Sequence, residues 1–92
     1  MTKVPVPNKF QIQVKRRGEK DLSKFWIEEY SYEGLDTDKD AVAFFKKMIA
    51  TFNKDARIRG NNPRTLVAVK RKYIIVLKNK KKYAWHNIWR YS

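Results

Sequence analysis

Residues 36–54 read DTDKDAVAFFKKMIATFNK, and they carry the clearest helical signal in the chain. Ala41, Phe44, Phe45, Met48, Ile49 and Phe52 recur at the spacing that gathers side chains on one helix face. Asp36 or Thr37 can serve as the N-cap. Asp38 and Asp40 fall in the first turn, where the helix dipole favours anions, and Lys46, Lys47 and Lys54 lie toward the other end. The spacing predicts a helix over about 38–54.

The flanking segments read as strands. Phe10, Ile12 and Val14 alternate with Gln11, Gln13 and Lys15, the pattern of a strand with one buried face. Lys15 to Ser23 is a polar turn region containing Gly18, and the β-branched and aromatic run Phe25 to Tyr32 is a second strand. Its phase is open: Phe25 and Ile27 compete with Trp26, Tyr30 and Tyr32 for the inner side. Gly34 ends the hairpin.

After the helix, Arg57 to Arg64 reads as a loop broken by Gly60, Asn61, Asn62 and Pro63. Thr65–Val69 and Tyr73–Leu77 are strand-like. They form either a hairpin across Lys70–Lys72 or one long bent strand, because that junction lacks the Gly, Asn or Asp of a tight turn. Asn79 to Lys82 is a better turn. Tyr83 to Tyr91 reads as a final strand with Tyr83, Trp85, Asn87, Trp89 and Tyr91 on one face; a helix there would group Trp85, Ile88 and Trp89. Residues 1–9, with Pro5 and Pro7, read as a flexible arm ahead of one domain over 10–92. The order is ββα followed by two or three strands. The fold class is therefore α+β, an antiparallel sheet of four to five strands with one helix packed on one face.

Charge is distributed unevenly along this order. The 92 residues carry a net charge of +13. Asp55 is the last acidic residue. Beyond it come Arg57, Arg59, Arg64, Lys70, Arg71, Lys72, Lys78, Lys80, Lys81, Lys82 and Arg90. Such a surplus attracts polyanions, and nucleic acid is the commonest of these in a cell. These eleven cations are the candidate phosphate contacts, with Tyr83, Trp85, Trp89 and Tyr91 as candidate stacking rings. The arginines flanking Gly60–Pro63 suit phosphate because of their planar forks. The lysine run Lys78–Lys82 suits phosphate contact, nuclear targeting, or the protection of an edge strand from aggregation.

Other chemistries find little support. There is no cysteine, which excludes disulfides and thiolate metal sites. The segment Asp36-Thr37-Asp38-Lys39-Asp40 opens like a calcium loop, but Ala41 replaces its glycine and Lys47 its closing glutamate. His86 is the only histidine, so a histidine metal cluster is excluded. It could act as an acid or base only in a metal-independent ribonuclease. No phosphate-cradling glycine loop is present, so neither cofactor nor metal is expected. The N-terminus lacks a secretory apolar core and no run is long enough to span a membrane, which gives the expectation of a cytoplasmic protein with no membrane partner.

The leading expectation is a non-enzymatic nucleic-acid-binding protein, for DNA or RNA. The alternative is a protein-interaction module or inhibitor of the phage or plasmid type. It would dock on an acidic or nucleic-acid-binding host protein, with Trp26, Tyr30 and Tyr32 as anchors. Exposed edge strands leave room for a homodimer.

Overall fold

The computed structural model of the protein describes residues 2–91. Its elements are β1 (Thr2–Arg16), β2 (Trp26–Ser31), α1 (Asp38–Arg59), β3 (Arg64–Leu77) and β4 (Lys80–Arg90). The four strands form one sheet in the order β2-β1-β3-β4, antiparallel throughout. The fold is α+β, with α1 on one face of the sheet.

The core is where the two apolar periodicities meet. Phe10, Ile12 and Val14 of β1, with Leu66 and Val69 of β3, pack against Ala41, Phe45 and Ile49 of α1. Phe10 and Phe45 meet edge to face with ring centroids 5.5 Å apart. Tyr30 and Tyr32 stack on each other beside Phe45. This settles the phase of β2. Trp26, Glu28 and Tyr30 pair with Val14, Ile12 and Phe10 and share their helix-side face; Ile27 and Glu29 point the other way.

Thr37 caps the helix, its hydroxyl accepting from the Asp40 N–H at 3.1 Å. The helix runs on to Arg59 instead of stopping near Lys54, because Ala56 (2% exposed) carries the apolar stripe through another turn. Gly60 then adopts a left-handed φ of 73° and closes the helix onto the Ala56 carbonyl.

β3 is one continuous strand of 14 residues rather than a hairpin. Residues 2–9 are not the loose arm expected of them: they belong to β1, and Thr2 to Pro5 pair with Val76 to Tyr73. The prolines are tolerated because β2 pairs only with Lys9 to Val14, leaving the first half of β1 as a sheet edge. Residues 6–9 bulge opposite Lys72 alone, and Asn8 there takes a positive φ of 65°, which asparagine accommodates better than most residues.

The helix covers only half of this sheet. Its start is tied to β3 at Arg71 and its last turns at Arg64, through Asn53. Beyond Arg71, the ends of β1, β3 and β4 continue as a three-stranded extension, and the molecule measures 51 × 30 × 20 Å.

Candidate nucleic-acid interface

Residues paired across an antiparallel ladder share a sheet face. Lys72 pairs with Trp85, Ile74 with Tyr83, Lys70 with Asn87 and Ala68 with Arg90. On the β1 side, Gln11 pairs with Lys70 and with Glu29 of β2. These residues lie on the face opposite to α1, which no element covers. Lys9 and Lys15 share it, being in phase with Gln11 and Gln13 along β1.

At the centre of this face Lys72 lies over two rings. Its Nζ is 4.7 Å from the Tyr83 centroid and 5.6 Å from that of Trp85. Tyr83 is 59% exposed and Trp85 half-buried. A shallow depression beside Trp85 is lined by Lys9, Glu29, Ser31 and Lys72. The arrangement offers flat surfaces for stacking beside ammonium groups that can reach phosphate oxygens. Among the described residues Glu29 is the one carboxylate in this depression.

The expected cations separate into four groups. Lys70, Lys72 and Arg90 are on the uncovered face. Lys78, Lys80, Lys81 and Lys82 are exposed at the far tip of the three-stranded extension. Arg57 and Arg59 are in the last turn of α1, not in a loop. Arg71 and Arg64 are structural. Arg71 is 6% exposed, bonds Asp38 at 3.1 Å and the Leu35 carbonyl at 3.3 Å, and lies over the Phe10 ring. Arg64 is held by Glu28 at 2.9 Å and lies against Phe52 and Trp26. Both arginines are drawn inward because a guanidinium can satisfy a fork of acceptors while its planar faces pack on rings.

The rings separate in the same way. Tyr83 and Trp85 share the uncovered face and Tyr91 is exposed just beyond β4. Trp89 does not join them. The ladder shifts between Val69 and Lys70, so Ile88 is an extra residue and Trp89 pairs with Val69 on the helix side, under Lys46. One bulged residue therefore reverses the expected alternation. Tyr30 and Tyr32 are likewise turned into the core, which leaves Trp26 as the exposed member of the expected protein-docking trio.

Glu28 shows how acids are neutralised on the helix side. It accepts from Trp26 Nε1 at 2.8 Å, from the Tyr30 hydroxyl, and from Arg64. Burial pushes its carboxyl up, but the hydrogen bonds from Tyr30 and Trp26 and the charge of Arg64 outweigh this and hold it below its usual range. His86 lies on the helix-side face of the extension, where Lys3 Nζ is 3.2 Å from its Nδ1 and the ring meets Tyr73 edge to face. Among the described residues no group of three or more His, Asp or Glu side chains converges to hold a metal. No helix among them is long and apolar enough to cross a membrane.

Lys9 and Lys15 escaped the reading that singled out the cations beyond Asp55. Their signal was present in β1: the alternation that turns Phe10, Ile12 and Val14 inward turns Lys9, Gln11, Gln13 and Lys15 outward.

Comparisons with protein-family models, with curated proteins and with solved structures found no match to this chain.

Proposed function

We propose that the protein is a non-enzymatic nucleic-acid-binding module that takes a single strand across the uncovered face of its sheet. The observation that carries this reading is the position of Lys72 over Tyr83 and Trp85 on a face that no helix covers. Stacking needs unpaired bases, so single-stranded RNA or DNA fits better than a duplex. Lys9 and Lys70 flank the rings on the same face and supply phosphate contacts, Arg90 and then Lys15 lie further along that face toward the other end of the sheet, and the tip lysines extend the positive field. The strand recognised is set by charge and stacking, so sequence preference is weak. The test is quenching of tryptophan fluorescence by a short single-stranded oligonucleotide over a range of salt, with the part lost in Trp85→Phe assigned to Trp85. Saturable quenching that weakens steeply with salt supports the reading; quenching unaffected by salt removes it.

A second reading has its own observation. Phe25 and Trp26 together line an exposed hollow at the start of β2, and Leu22, 84% accessible, lies in the loop just before it. That surface suits a protein partner. Capture of a partner that survives nuclease treatment and is lost in Phe25→Ser supports this reading, and capture abolished by nuclease removes it.

A further inference from the structure

A second cationic feature lies on the helix side of the sheet, where β4 stops short of the base of β3. Arg90 pairs with Ala68 and the Tyr91 N–H donates to the Val67 carbonyl. Among the described residues, 64–66 of β3 therefore have no partner on the β4 side. Helix α1 passes beside this gap and leaves a concave corner lined by Arg17, Lys46, Lys54 and Arg57 above Ile49 and Pro63.

Among the described residues no carboxylate lines the corner. The ion pairs of the described residues are Arg64–Glu28 and Arg71–Asp38, so none of these four cations has an acidic partner among them. The frame beneath them is fixed. The Arg17 N–H donates to the Pro63 carbonyl at 2.9 Å. Asn53 bonds both the carbonyl and the N–H of Arg64, at 2.8 and 2.7 Å, and so joins the helix to β3. Lys46 rests 4.7 Å from the Trp89 ring centroid. Four like charges around one hollow repel each other, and an anion seated among them relieves that repulsion. Two of the four are arginines, whose forks match the oxygens of a tetrahedral oxyanion.

The geometry points to a phosphate-binding site at this corner, separate from the uncovered face and independent of what that face binds. The ligand is a phosphate group, carried either within a nucleic-acid backbone or at a chain terminus.

The test is a titration of the full chain with inorganic pyrophosphate, followed by backbone amide NMR. Saturable shifts should centre on Arg17, Asn53, Lys54 and Arg57. The double substitution Arg17→Gln with Arg57→Gln should weaken them at least tenfold, whereas Lys72→Gln with Tyr83→Ala should leave them unchanged. The substituted side chains of the corner are exposed, and an unaltered amide spectrum elsewhere verifies folding. Shifts spread equally over Lys78–Lys82 and insensitive to Arg17→Gln/Arg57→Gln would show only a diffuse ion atmosphere and overturn the site. A short oligonucleotide with and without a 5′-phosphate separates the sources. Corner shifts that require the 5′-phosphate identify a terminal group, and equal shifts identify backbone phosphates. Because the fluorescence test of the uncovered face uses different residues, either site can fail without the other.

Discussion

The guanidinium of Arg71 is joined to the carboxylate of Asp38, Nε to Oδ1 at 3.1 Å, across the junction between mid-sheet and the first turn of α1. The two ends of this pair are unequal. Arg71 is almost wholly buried, whereas the Asp38 side chain is 56% accessible. Removing the acid strands a buried charge; removing the base leaves an acid that water can solvate.

Asp38→Ala should therefore cost about 1.5–3 kcal/mol, the range for a hydrogen bond to a charged group. Arg71→Met keeps the packing on Phe10 and should stay within about 1 kcal/mol of the parent. Urea unfolding measures both. Arg71→Met should also bind oligonucleotide as the parent does, since the side chain does not reach the surface. Equal losses of stability in the two variants would contradict the asymmetry.

Lys70 and Lys72, half-buried, and Arg90, exposed, lie on the face where a single strand is proposed to lie. Each phosphate neutralised on a single strand contributes about 0.7 to the slope of log affinity against log salt. Replacing all three with glutamine should flatten that slope by about 2. Titrations at several salt concentrations give the number directly. A slope identical to the parent's would remove these residues from the contact.

Two aromatic substitutions should separate binding from stability. Tyr83 is exposed, so Tyr83→Ala should leave the unfolding midpoint nearly unchanged while costing about 1–3 kcal/mol of oligonucleotide binding, the value of one stacked base. Trp89 packs on the core beneath Lys46, so Trp89→Ala should cost about 3 kcal/mol of folding stability, near the low end for a buried aromatic. Where it remains folded, its oligonucleotide affinity should match the parent's. The reverse pattern would reassign the two faces of β4.

Local chemistry explains why the helix, a cap at Asp36 or Thr37 and the three inward residues of β1 were legible in the sequence. Each depends on neighbours within a few positions, so periodicity reports it. The last turn of α1 was missed because Asp55 and Arg57 interrupt the apolar run, although Ala56 and Gly60 marked the continuation. Three other features depend on distant partners. Arg64 and Arg71 look like surface cations until β2 brings Glu28 and α1 brings Asp38 to meet them. Trp89 looks like a companion of Tyr83 until the bulge at Ile88 turns it over. Pro5 and Pro7 look like markers of an arm until the shortness of β2 makes that part of β1 an edge. The corner at Arg17 was invisible for the same reason, since Arg17, Lys46 and Arg57 come from separated parts of the chain.

The network around Glu28 gives the fold a dependence on pH at both extremes. In the folded state the hydrogen bonds of Tyr30 and Trp26 and the charge of Arg64 overcome the effect of burial and hold the Glu28 carboxyl below its ordinary 4.5. The proton is bound more weakly than in the unfolded chain. The stability this contributes is complete above a pH of 4.5 and is lost as the pH falls through the lower folded value. Tyr30 has the opposite sign. Burial first, and then the hydrogen bond to Glu28, push its phenol from 10.0 to about 12. Its contribution is complete below pH 10.0 and is lost as the pH rises through about 12. Urea unfolding from acid to neutral pH should therefore show a stability loss below 4.5 that Glu28→Gln reduces. Tyrosinate absorbance should contain a component near 12 that the same substitution moves toward 10.0, because the charge that opposes ionisation of Tyr30 is gone. An acid limb unaltered in Glu28→Gln would mean that other carboxylates control acid unfolding.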